Sequence, residues 1–300
     1  MRVMTSTVLA ISSVFATVVS RPQVKLCSTE ASQIENRTRV SQARLAHFTS
    51  PVIVELFTSE GCSDCPPADR LLYQLELTQP VSGAQIIALE QHVDYWDDEG
   101  WRDPFSSSQL TRRQKDYVYA FNLPSAYTPE MVVDGTTEFV GSDSRRALAA
   151  IERAALTLKA NLRIEPLYEA TSRPQTTHLH ASLAAISGWN FKHGADVLIA
   201  ITEDNLASNV TRGENAGAHL NHRAVVRELR LMGRVDSSAA FSADLELNLL
   251  PYWKPENLHV VVFAQDRSTK SVLAASTISL SEGAKNKPRE GVPARVWQLQ

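Results

Sequence analysis

The stretch from Pro51 to Leu77 leaves a chain few ways to fold. Pro51-Val-Ile-Val-Glu-Leu-Phe57 is an apolar, β-branched run with the composition of a buried strand. Thr58-Ser-Glu-Gly61 turns the chain, and Cys62-Ser-Asp-Cys65 opens a segment in which Leu71, Leu72, Leu75 and Leu77 recur at near-helical spacing. Pro66 and Pro67 fit only near a helix start, where an amide donor is not required. Strand, turn, Cys-x-x-Cys and helix form the context that separates a redox dithiol from a chance pair of cysteines.

Two residues between the cysteines bring their sulfurs within disulfide range across the first turn of a helix. Cys62, N-terminal and more exposed, is then the attacking thiolate, stabilised by unpaired amides and the helix dipole. Cys65, one turn in, resolves the mixed disulfide. Asp64 opposes thiolate formation beside it, so Cys62 is expected to be less acidic than in a strong oxidant.

Composition narrows the function classes. The chain has 300 residues, 43% hydrophobic and 21% charged, enough apolar material for a sizeable core and, by length, for two domains. A formal net charge of −3, from 30 basic and 33 acidic residues, argues against an electrostatic nucleic-acid binder. Three cysteines are too few for a disulfide scaffold. Residues 1–20 carry Arg2, a short apolar core and the small residue Ser20, the pattern of an export signal, and are too rich in Ser and Thr for a membrane span of ~20 apolar residues. Export places the mature chain in the periplasm or outside the cell, where disulfides persist. Residues 21–50 lack a hydrophobic period and read as a linker holding an isolated thiol, Cys27; residues 282–300 read as a mobile tail.

Further along, Ala84–Leu89 reads as a strand and Ser108–Phe121 as a helix. Tyr127–Gly135 and Thr136–Gly141 read as a hairpin, and Ser144–Lys159 as a closing helix. From Arg163 to Leu280 short β-branched runs alternate with turn residues, which predicts an antiparallel sandwich. The expected fold class is therefore an α/β thioredoxin-like domain over residues 51–160, followed by an all-β sandwich-like domain over 161–281.

The resemblance can be stated on particular residues. Cys62-Ser-Asp-Cys65 after a strand, with Thr128-Pro129 opening a later one, resembles the thioredoxin superfamily. That resemblance implies a cis proline facing the dithiol and a preceding residue that binds the substrate backbone. The longer string Val54–Asp69, together with His92–Asp97, Tyr127–Gly135 and Arg212–Gly217, is similar to the secreted bacterial family catalogued as domain of unknown function 1223. This implies a fold and a dithiol but no settled substrate. Cys-Ser-Asp-Cys also departs from the Gly-Pro insert of general reductases.

Glu55 is a candidate acceptor for the proton of Cys65, its pKa raised by burial; a strand-end Glu facing solvent or pairing with an Arg is the other reading. His92, Asp94, Tyr95, Trp96 and Asp97 either wall the dithiol or pack as an ordinary polar cluster. The leading function is thiol–disulfide exchange on a protein substrate, with Cys62, Cys65, Thr128 and Pro129 as its site. One alternative is copper binding and delivery through Cys62, Cys65 and His92, since thiolate and imidazole suit copper. Another is a non-catalytic binding module with a fixed disulfide. In the C-terminal half, Arg212 and Glu214 are expected to brace a tight loop that either contacts the dithiol domain or a partner, or is a purely structural brace. His219-x-x-His222 suits a metal only if helical, and His178 and His180 read as surface residues.

Overall fold

The computed structural model describes residues 49–167, 176–185, 193–236 and 240–281. The expected signal, Cys27, the tail and the linker up to residue 48 lie outside these residues, and Ser50, the last residue of the expected linker, already belongs to the first strand. No helix among the described residues is long and apolar enough to cross a membrane.

Strand β1 (Ser50–Thr58) runs into the Cys-x-x-Cys turn and then helix α1 (Pro66–Thr78), with both prolines in its first turn and Cys65 at its N-cap. Strand β2 (Ala84–His92) follows, then helix α2 (Ser108–Phe121), whose N-cap Ser107 accepts from the amide of Gln109 at 3.2 Å. Strands β3 (Glu130–Val133) and β4 (Thr137–Val140) form a hairpin, and helix α3 (Ser144–Ala155) closes this part. The remaining strands are β5 (Leu162–Leu167), β6 (Thr176–Leu183), β7 (Ala195–Glu203), β8 (Leu206–Asn209), β9 (His219–His222), β10 (Val225–Val235), β11 (Phe241–Asn248), β12 (Leu258–Asp266) and β13 (Val272–Ser279).

The pairing of these strands overturns the expected fold class. There is no α/β thioredoxin-like domain followed by a separate all-β sandwich. One mixed eight-stranded sheet, in the order β13-β12-β7-β10-β2-β1-β3-β4, takes strands from both halves of the chain. The junction is β2 with β10, parallel at Glu90 and Val225, where the amide of Glu90 donates to Ala224 O at 2.9 Å. A three-stranded sheet, β11-β6-β5, and the two-stranded pair β8-β9 complete the described strands. The reason is physical: alternation and turn residues identify a strand but carry no information on which open edge it joins. β2 has an edge left open by β1, and an unpaired edge must be covered.

Alternation along β1 sends side chains to two cores. Val52, Val54 and Leu56 pack with Leu72 and Leu75 of α1 and Ile151 of α3. Ile53 faces the other way and packs with Leu110 of α2, Val226 of β10 and Phe263 and Val272 of β12 and β13. The sheet curls enough for its two ends to touch: the amide of Val272 donates to Asp134 O at 3.1 Å. At that contact Gly135, with φ +68°, leaves room for the carbonyl of Lys270, which a Cβ would approach to 1.9 Å. The three-stranded sheet covers the far half of the large one, with Leu179 and Leu183 packed on Val197, Ile199 and Val260.

Candidate functional site

Cys62 and Cys65 form a disulfide with Cα atoms 5.4 Å apart, in the turn that ends β1 and starts α1. Ser63 and Asp64 between them are exposed, whereas Cys62 is 2% and Cys65 0% exposed. The chain folds this way locally because the amide of Cys62 bonds Ser59 O and that of Cys65 bonds Cys62 O, both at 3.2 Å, while Cys65 O accepts from Ala68 at 2.8 Å. The helix thus starts at Cys65, and the expected unpaired amides are missing: Pro66 and Pro67 have no N–H, and the amides of Ala68 and Asp69 both donate to Cys65 O.

Thr128 lies against this turn. Cys62 Sγ is 3.9 Å from Thr128 O, Thr128–Pro129 is a cis peptide, and the Thr128 hydroxyl accepts from Trp96 Nε1 at 2.8 Å. Trp96 in turn packs on Gly61, where a Cβ would meet its own Cβ at 3.1 Å. The structure therefore brings Cys62, Cys65, Thr128 and Pro129 together, with Trp96 as a wall. Tyr95 also lies beside Thr128, its hydroxyl donating to Gln114 at 3.2 Å, whereas Asp94 accepts from Thr111 at 2.6 Å. Asp97 accepts from Ser106 at 2.8 Å.

Glu55 is placed apart from the cysteines. It is fully buried, ion-paired to Arg113 (Nη2–Oε1 2.8 Å), and accepts from Gln91 at 2.5 Å and from Tyr117. It shares the Ile53 face of β1, whereas Leu56, one residue on, faces α1. The alternative weighed from the sequence, a strand Glu paired with an Arg, is the arrangement present.

The loop 212–217, between β8 and β9, reaches the dithiol turn from the C-terminal half. Glu214 accepts from the Ser63 amide at 3.0 Å and the Ser63 hydroxyl at 2.7 Å, contacts that hold its carboxyl below the usual range. Asn215 Nδ2 donates to Glu60 O and Cys62 O, both at 2.9 Å. The expected Arg212–Glu214 brace is absent among the described ion pairs. The shape of the loop comes from positive φ at Gly213 (+74°) and Gly217 (+86°) instead.

Behind the turn lies a buried ionic cluster that the sequence reading missed as a unit. His92 Nδ1 bonds Asp103 Oδ2 at 2.7 Å, and the same oxygen accepts from the amide of Glu60 at 2.8 Å. His222 bonds Glu90 Oε1 through Nδ1 at 2.7 Å and Glu60 Oε1 through Nε2 at 3.1 Å. Burial opposes charge on both rings, but the carboxylates prevail. Glu90 and Glu60 push His222 up to about 10, and Asp103 and Glu90 lift His92 well above the ordinary value. The imidazoles reciprocate against burial and hold Glu90 down to about 2. Asp69 on α1 bonds Thr58 at 2.6 Å and is pushed up to about 7 by burial and then by Glu90. The legible signal was Glu90-Gln-His92 closing an otherwise apolar strand: polar side chains at a buried strand end need partners. The partners come from residues 60, 103 and 222, which no local pattern links.

His219 and His222 do not act as a pair. They lie on a strand at odd separation, so His219 is exposed and bonds Asn209 at 2.8 Å while His222 is buried. His180 sits at the surface beside Asp244 at 2.6 Å.

The family described as "Protein of unknown function (DUF1223)" matches residues 53–265, a span holding the dithiol turn, Thr128-Pro129, the 212–217 loop and the buried cluster. The chain belongs to the DUF1223 family. A crystal structure of an Agrobacterium tumefaciens protein, determined by a structural genomics consortium, is similar at 25% identity and a TM-score of 0.56, covering 77% of this DUF1223 chain and 94% of that one. A domain of the outer membrane lipoprotein Omp28 from Porphyromonas gingivalis aligns at 15% identity and a TM-score of 0.25, over 40% of this chain and 87% of that one. None of the curated proteins matches this family member.

Proposed function

We propose that this protein exchanges disulfides with a protein substrate in an exported, oxidising compartment. The observation that carries the reading is the contact of Cys62 Sγ with Thr128 O at 3.9 Å. It sets the N-terminal sulfur of a helix-start dithiol beside half-buried Thr128, which precedes the buried Pro129 and where an extended substrate backbone can dock. At the level of these two motifs the chain resembles the thioredoxin superfamily. In the reduced protein the Cys62 thiolate attacks a substrate disulfide and expels one substrate thiolate. The Cys65 thiolate then attacks Cys62 Sγ, releases the second thiolate and leaves the Cys62–Cys65 disulfide, two electrons having passed to the substrate. The reverse sequence oxidises a substrate dithiol. The dipole of α1 favours the thiolates in either direction.

A second reading has its own support: the near-complete burial of both cysteines suits a fixed disulfide in a binding module. The reduction potential separates the two. Equilibration with glutathione or dithiothreitol is expected to give a value between roughly −120 and −270 mV, the span of working exchange proteins. Cys65→Ser is expected to trap a mixed disulfide through Cys62. A potential below about −300 mV, with no adduct trapped, would make the disulfide a staple and end the exchange reading.

A further inference from the structure

We propose that Glu90, His92 and His222 form a buried site for a first-row divalent transition metal, with Asp103 and Glu60 orienting the two imidazoles. One ligand atom from each of the three residues lies within 4.8 Å of the others, and all three side chains are buried. The independent sign of a missing ligand is His92 Nε2. The ring is fully buried, yet this nitrogen has no hydrogen-bond partner, and it stands 3.5 Å from Glu90 Oε1. An orphaned buried nitrogen facing a carboxylate is costly unless something sits between them.

The far side of each ring supports the same assignment. His92 turns Nδ1 to Asp103 at 2.7 Å, and His222 turns Nε2 to Glu60 at 3.1 Å. Metal-bound imidazoles characteristically donate their other N–H to a carboxylate, which fixes the tautomer and aims the free nitrogen. Here two rings from distant strands are both held so that the remaining nitrogen faces Glu90. Two imidazoles and one carboxylate, with no thiolate, suit Zn2+, Fe2+, Ni2+ or Cu2+ and not soft Cu(I).

Three protein ligands leave the fourth tetrahedral position to a water or a second carboxylate oxygen, and the burial of all three residues keeps that position away from a substrate. Its place explains what it would hold. Glu90 and His92 end β2, His222 ends β9, and Glu60 lies two residues before Cys62. The ion would tie the dithiol turn to the C-terminal half.

The test is metal content of the full-length chain in its disulfide form, stripped by chelation and refolded with Zn2+ or with Co2+ as a spectroscopic probe. One equivalent per chain is expected, with the visible d–d absorption of a nitrogen- and oxygen-bound Co2+, and both vanish in His92→Ala and His222→Ala. Asp103→Asn keeps the three ligands and is expected to weaken Zn2+ binding roughly 10–100-fold. A folded wild type that takes up no stoichiometric metal overturns the proposal, as does uptake that survives the alanine variants. If those variants do not fold, unchanged Zn2+ affinity in Asp103→Asn overturns it.

Discussion

Glu130 shows how much a single buried carboxyl can weigh. It follows Pro129 directly, is fully buried, accepts from Gln114 at 2.8 Å through Oε2, and has no partner for Oε1. Burial pushes its pKa up to about 7. Its folded-state value is therefore raised, and the stability this gives is complete below the unfolded value and lost as pH rises through 7. Glu130→Gln removes the charge and is expected to stabilise the protein above pH 7 by as much as about 3 kcal/mol, with little effect below pH 4.5. Urea midpoints of both proteins at pH 4 and pH 8 check this; a variant less stable at pH 8 would show that the charge is compensated. Residue chemistry was legible in the sequence where it was local, as in Cys62, Cys65 and the helix start at Pro66-Pro67. It was illegible where it depended on the face of a strand. Glu55 and Leu56 are neighbours in sequence, but only Leu56 faces α1, and Glu55 is taken by Arg113 from another element.

Among the elements, the 212–217 loop acts as a strap over the dithiol turn. Its grip is Glu214 on Ser63 and Asn215 on the carbonyls of Glu60 and Cys62, and Glu214 itself is solvent-exposed. The Glu214 bonds are exposed to water and stabilise little, so the strap can lift without unfolding the protein. Glu214→Ala is expected to speed reduction of the disulfide by dithiothreitol several-fold while leaving the unfolding midpoint nearly unchanged. Stopped-flow reduction measures the first and thermal melting the second; an unchanged reduction rate would mean that the strap does not limit access. Elements with clear periodicity were readable, α2 at its observed Ser108–Phe121 bounds and most of β2 as Ala84–Leu89. The short strands β8 and β9 were not, because four residues carry too little alternation to stand out from loop.

For the molecule as a whole, the decisive pairings are the distant ones. β10 closes the open edge of β2, and Phe263 and Val272 cover Ile53 from the far end of the sheet. Such contacts leave no local trace, which is why the strands were legible and their assembly was not. A fragment of residues 49–160 would bare the β2 edge and the Ile53 face together. It is expected to aggregate or bind a hydrophobic dye, whereas the full chain unfolds in one cooperative transition seen alike by circular dichroism and tryptophan fluorescence. Two separated transitions in the full chain would refute this. The curled sheet also imposes a timetable. A nascent chain leaves the ribosome with Ile53 early and Val272 more than two hundred residues later, so its central sheet cannot be finished while synthesis continues. Until β13 emerges, the Ile53 face of β1 stays uncovered, and the chain must carry it bare through the whole of its own synthesis.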